Sequence, residues 1–179
     1  MADLASLFAC RKSIAFFPGW SPPEPETDWI CFSAPLAVDG IVEPGLQLFG
    51  GCFKTYPNEN VTFELLIART PTSRRTAIER FDWKSLQGGH SNKRGRPEVI
   101  PRRTVPTHIH SFELNFQQKR SRMIEGLPLA DNVASSLETF ESVRTFVGSR
   151  LNISNIDVVA VPEWEYNLFH GSFSVHNKE

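Results

Sequence analysis

The chain has 179 residues, 40% of them apolar and 22% charged, with a net charge of -1. These numbers fit one globular domain that can bury a core without disulfides or metal, and they exclude a disordered, fibrous or uniformly basic chain. Cys10, Cys31 and Cys52 are odd in number and form no C-x-x-C pair, so the expectation is small buried thiols in a reducing cytoplasm rather than a disulfide framework or zinc knuckle.

From Leu4 to Phe17 apolar residues recur at helical spacing, with Asp3 placed to cap the start and Pro18-Gly19 to end the helix. Asp3 precedes any basic residue and the pair Arg11-Lys12 interrupts the apolar stretch, against a secretory signal. No window approaches the ~20 apolar residues of a membrane span. Pro22, Pro23 and Pro25 then predict an extended arm.

Trp29–Val38 and Ile41–Phe53 read as two strands joined by the hairpin pair Asp39-Gly40, with Pro44-Gly45 marking a bulge or edge and Gly50-Gly51 weakening the second strand. Tyr56 to Asn60 is a turn. Val61, Phe63, Leu65 and Ile67 give a half-buried strand, Pro71 to Ser73 a turn, and Thr76 to Trp83 a fourth strand. Residues 85–104, rich in Gly, Lys and Arg, predict a long surface loop of the functional or mobile rather than merely connective kind.

Val105 to Phe116 is expected to be a fifth strand, in which His108, His110, Phe112, Leu114 and Phe116 share one face. Val133, Leu137, Phe140, Val143, Val147 and Leu151 mark an amphipathic helix ending at Asn152, started by Asp131 or by a Ser135/Glu138 capping box. Ile156 to Val161 suits a buried strand on the sheet, and Trp164 to Glu179, with His170 and His176, an irregular tail or edge strand. The expected class is a single α+β domain: an N-terminal helix and Pro-rich arm (1–28), an antiparallel meander with its basic loop (29–116), and a helix, final strand and tail (117–179).

The stretch from Arg80 to Phe116 holds three of the five histidines and seven of the nineteen Lys and Arg residues. His108 and His110 on one strand face can chelate a metal if His90 or Asp82 supplies a third ligand. No H-E-x-x-H, cysteine pair or carboxylate cluster accompanies them. The same imidazoles can work as general acid and base on a phosphodiester, with Arg80, Lys93, Arg94, Arg96, Arg102, Arg103, Lys119, Arg120 and Arg122 near in sequence to stabilise charge and attract RNA. They can equally be sheet histidines bonded to Asp82, Glu113 or backbone. Trp83 with Phe81 offers a base-stacking surface or core. There is no P-loop, dinucleotide fingerprint or G-x-S-x-G elbow.

The order Arg80-Phe81-Asp82, His90-Ser91-Asn92, His108-Ile109-His110 and a helix ending at Asn152-Ile153 resembles a family of small bacterial and prophage proteins with an R-hydrophobic-D, H-x-N, H-hydrophobic-H pattern. More distantly, Phe81-Asp82-Trp83 followed by a histidine and a paired-histidine strand resembles the toxin half of TumE-type toxin–antitoxin pairs. The first resemblance implies a mobile-element protein. The second implies a growth-inhibitory toxin acting on RNA and neutralised by a protein partner. The positions at stake are Asp82, His90, His108 and His110. His90 is followed by Ser91 where the first family commonly has Arg, and the loop to His108 is longer and more basic.

The leading expectation is a cytoplasmic, toxin-like or defence-related ribonuclease without metal or other cofactor. In it His90, His108 and His110 serve as acid–base groups, Asp82 as their partner and Arg80 as an anion clamp. The alternative is a non-enzymatic module that binds a protein partner through its sheet face or Pro-rich arm.

Overall fold

The computed structural model describes residues 3–166 except 69, 71, 72, 94, 97, 134 and 135. Expectations for Arg94, for the Ser135 cap, for His170 and His176 and for the end of the tail lie outside those residues. The architecture is α+β. Seven antiparallel strands lie in the order β1 (Lys12–Ile14), β2 (Trp29–Val38), β3 (Ile41–Phe53), β4 (Val61–Ile67), β5 (Thr76–Trp83), β6 (His108–His110) and β9 (Asp131–Asn132). A two-stranded ribbon, β7 (Phe116–Gln117) with β8 (Arg122–Met123), separates the last two. Helices α1 (Leu4–Ala9) and α3 (Phe140–Arg150), one helical turn, α2 (Phe112–Asn115), and two 3-10 turns (Gln118–Arg120 and Ile156–Val158) complete the described elements.

The period-two pattern of β2 to β5 sorts the two faces. Phe32, Gly50, Phe63, Phe81 and Ile109 lie in one cross-strand row. On this face α3 packs Phe140 against Phe63 and Phe146 against Phe81. Trp83 and Phe81 are buried here, and Trp83 donates its indole N–H to Leu137 O at 2.9 Å, so neither is free to stack a base. The opposite face carries the row Cys31, Gly51, Thr62, Asp82, His108 and Asn132, and beside it Glu64, Arg80 and His110.

Asp39-Gly40 makes the two-residue hairpin turn with positive φ at both positions. The expected bulge is present: Pro35 pairs with Gln47 but Ala37 with Val42, so β3 carries extra residues around Pro44-Gly45. Gly45 has φ +81°, and a Cβ there would stand 2.1 Å from Ala68 O. β3 runs unbroken through Gly50-Gly51. These residues make room for the Phe32 and Trp29 rings, which would otherwise meet a Cβ at 2.3 and 2.2 Å.

Four expected elements differ. The N-terminal helix stops at Ala9, because Lys12 turns into an edge strand and its buried ammonium donates to Leu7, Phe8 and Cys10 carbonyls at 2.7–2.9 Å. The fifth strand is only His108–His110. Ser111 caps a helical turn instead, and Phe112 stacks on Phe8 and Phe116 at 4.6 Å. The long helix begins at Phe140, capped by a Thr139/Ser142 box, and ends at Arg150. Ile156 to Val161 is not a strand: Ile156–Val158 forms a 3-10 turn, and Arg144 Nη1 donates to Asp157 O and Val159 O.

Candidate metal centre

Register builds the site. Antiparallel pairing of β5 with β6 sets Asp82 opposite His108 and Arg80 opposite His110, all on the face away from α3. Asp82 is 5%, His108 4% and His110 5% exposed. His108 Nε2 lies 3.4 Å and His110 Nε2 3.6 Å from Asp82 Oδ2, and that oxygen has no hydrogen-bond donor. One ligand-capable atom from each of the three residues falls within 4.8 Å of the others.

The remaining ring nitrogens explain why. His108 Nδ1 lies 3.1 Å from Val105 O and 3.2 Å from Pro106 O, and His110 Nδ1 lies 2.6 Å from Leu127 O. A carbonyl only accepts, so Nδ1 carries the proton in both rings. Burial holds both imidazoles below their ordinary pKa, and His110 is pushed down to about 4, so both are neutral near pH 7. Each Nε2 is then a bare lone pair, turned toward an oxygen that also only accepts.

His90 stands beside the group, its ring centroid 4.6 Å from that of His110 and 6.2 Å from that of His108. It is half-buried and donates Nε2–H to Pro128 O at 2.9 Å. Arg80 is exposed, but part of its guanidinium is already bonded within the site. Its Nε and Nη2 bond Asp82 Oδ1 at 3.0 and 2.9 Å, and Nε lies 3.7 Å from Glu64. No protein-family model, curated protein or solved structure matches the chain.

Two buried asparagines that sequence reasoning did not assign hold the carbonyls in place. Asn115 donates to Leu129 O at 2.7 Å and accepts from Leu129 N at 3.0 Å. Asn92 does the same at Ala130, at 2.7 and 2.8 Å, and also donates to Pro101 O. Between them, the strap 127–130 presents Leu127 O to His110 and Pro128 O to His90. Leu127 has φ +44°, a left-handed conformation that a branched side chain resists, so the strap stores strain next to the histidines. The only sequence signal was the H-x-N spacing of His90 and Asn92.

The two arms of the loop 85–107 are tied to each other beside His90 and Asn92. Thr104 N donates to His90 O, His90 N to Thr104 Oγ1, and Asn92 N to Arg102 O, at 2.8–2.9 Å. Lys93, Arg96, Arg102 and Arg103 are exposed on it. Among the described residues, no helix is long and apolar enough to cross a membrane.

Two outcomes are expected. Asn92→Ala leaves Ala130 N and O and Pro101 O without a side-chain partner, and should cost about 2–4 kcal/mol in urea unfolding. The metal-free protein should also lose stability in acid. The unfolded chain takes up a proton at His110 near 6.5, whereas the folded chain waits until about 4. Stability is therefore fully present above pH 6.5 and falls by up to about 3 kcal/mol as pH drops toward 4. Urea midpoints at pH 7 and 4.5 measure this, and His110→Asn should flatten the slope.

Proposed function

We propose that Asp82, His108 and His110 hold one divalent transition-metal ion and that the protein is a metal-dependent enzyme of hydrolytic type. The observation that supports this is the convergence of three buried acceptor atoms, two Nε2 and Asp82 Oδ2, with no donor among them. Such a group is repulsive without a cation, and a buried carboxylate oxygen left alone costs about 1–3 kcal/mol. Nδ1–H donated to main-chain carbonyl is also the usual outer-shell arrangement of a metal-ligating histidine.

Two imidazoles and a carboxylate suit zinc and its first-row neighbours better than magnesium or calcium. Three protein ligands would leave coordination positions open, and an ion there would supply Lewis acidity and an acidified water. His90, whose ring centroid stands 4.6 Å from that of His110, would be the group to carry a proton to or from that position.

Metal analysis of the purified protein and zinc titration by calorimetry test the reading. One ion per chain is expected, and zinc at 100 times its Kd should add about 2.7 kcal/mol, which raises Tm by roughly 5–10 °C. Absence of stoichiometric binding for zinc, manganese, iron, cobalt and nickel alike would remove it.

The exposed cations on loop 85–107 favour a second reading, in which the substrate is RNA and the chain is a toxin-like ribonuclease held in check by a cytoplasmic protein partner. The ion, rather than the imidazole pair alone, then serves the phosphodiester. Induced expression of the wild type beside folded His108→Ala/His110→Ala tests it: growth arrest by the first alone supports the reading, and equal growth ends it.

A further inference from the structure

A cleft of about 510 Å³ lies on the site face of the sheet and reaches Arg80 and Asp82. The Trp29 indole lies over Gly51, where a Cβ would stand 2.2 Å from the ring, and lines the cleft. Phe53 stands edge-on to Trp29 at 5.0 Å, and Leu86, 50% exposed, lines the cleft too. The strand order β3–β4–β5 puts Gly51 two strand spacings, roughly 10 Å, from Asp82. The cleft is therefore aromatic at one end, where Glu24 N–H also bonds Trp29 O at 3.0 Å, and ionic at the other around Arg80 and Asp82.

We infer that this cleft binds a small anionic ligand bearing a planar ring, with the ring against Trp29, Phe53 and Leu86 and the anion directed to Arg80 and the ion at Asp82. The inference rests on the metal reading above. Glu24, Asp82 and Glu64, the last 3.7 Å from Arg80, against that one cation leave the metal-free cleft with two net negative charges, and a divalent ion cancels them. Anion binding should therefore depend on the metal. Ring burial against the aromatic wall supplies the rest of the affinity and the choice between ligands. The anionic group can be a phosphate monoester or a carboxylate, since both present oxygens to an ion and to a guanidinium.

Calorimetry with 1-naphthyl phosphate and 1-naphthoate, and with 1-naphthol and inorganic phosphate as the two halves, tests this on zinc-loaded and zinc-free protein. At least one naphthyl anion should bind the zinc-loaded protein ten or more times tighter than the zinc-free protein, by an order-of-magnitude charge argument, and tighter than either half. Whichever of the two binds better names the anionic group. Trp29→Ala should weaken it about tenfold while zinc affinity stays unchanged. Leu86→Asp, at an exposed position, should do the same without disturbing the fold. If zinc binds but neither naphthyl anion does, or if both variants bind like wild type, the cleft inference is overturned and the metal reading stands. If zinc itself does not bind, both fall.

Discussion

Asp82→Asn is expected to abolish zinc binding and at the same time to stabilise the metal-free protein. An amide keeps an acceptor for Arg80 Nε and Nη2. It also replaces the bare Oδ2 by an N–H donor facing His108 Nε2 and His110 Nε2, where the wild type has three acceptors in contact. Metal-free stability should rise by about 1 kcal/mol, a Tm gain of roughly 2–4 °C. Zinc affinity should fall by roughly 100-fold or more, since even outer-shell changes reach 10–100-fold. The opposite signs matter. A carboxylate kept only to bond the two imidazoles would lose stability on the same change, so a lowered metal-free Tm would sink the metal centre.

The second large effect is away from the site. Arg150→Met should destabilise the protein by about 3–5 kcal/mol at pH 7, because it leaves the Glu79 carboxylate buried without its cation. Glu79 is 2% exposed, and Arg150 grips it at 2.8 and 2.7 Å while also pairing with Glu113. Burial already raises the Glu79 pKa despite that partner. Without Arg150 it should rise further, so the loss should be largest at neutral pH and shrink as the pH falls and the carboxyl takes up a proton. Arg150→Met/Glu79→Gln should recover most of the stability, because Gln still accepts from Phe112 N, as Oε2 does at 2.9 Å. Failure of that rescue in urea unfolding would mean that the arginine works through packing on the Phe8 ring, 5.3 Å away, rather than through charge.

That pair also shows why some boundaries were illegible. The alternation His108, His110, Phe112, Leu114 continues a strand on paper, yet Glu79 takes the Phe112 N–H and Ser111 caps a turn, so the chain leaves the sheet after His110. Thr139 and Ser142 make a capping box without the Glu or Gln that would advertise it. The β-branched run from Ile156 is overridden because Arg144 reaches its carbonyls and Ile156 closes on Gly148, where a Cβ would stand 2.4 Å from its side chain. In each case a long-range partner outweighed a local preference worth a few tenths of a kcal/mol.

The sequence by itself determined the meander from Trp29 to Trp83, its Asp39-Gly40 hairpin and the placing of His108 and His110 on one face, because strand periodicity and turn chemistry are local properties. Only the tertiary structure decided that Asp82 meets them, since register between β5 and β6 is set by which rows face the core. It alone decided the state of the site as well. The protons of His90, His108 and His110 are fixed by main-chain carbonyls of residues 105, 106, 127 and 128, and a carbonyl is the same in every residue, so no pattern of side chains could announce it.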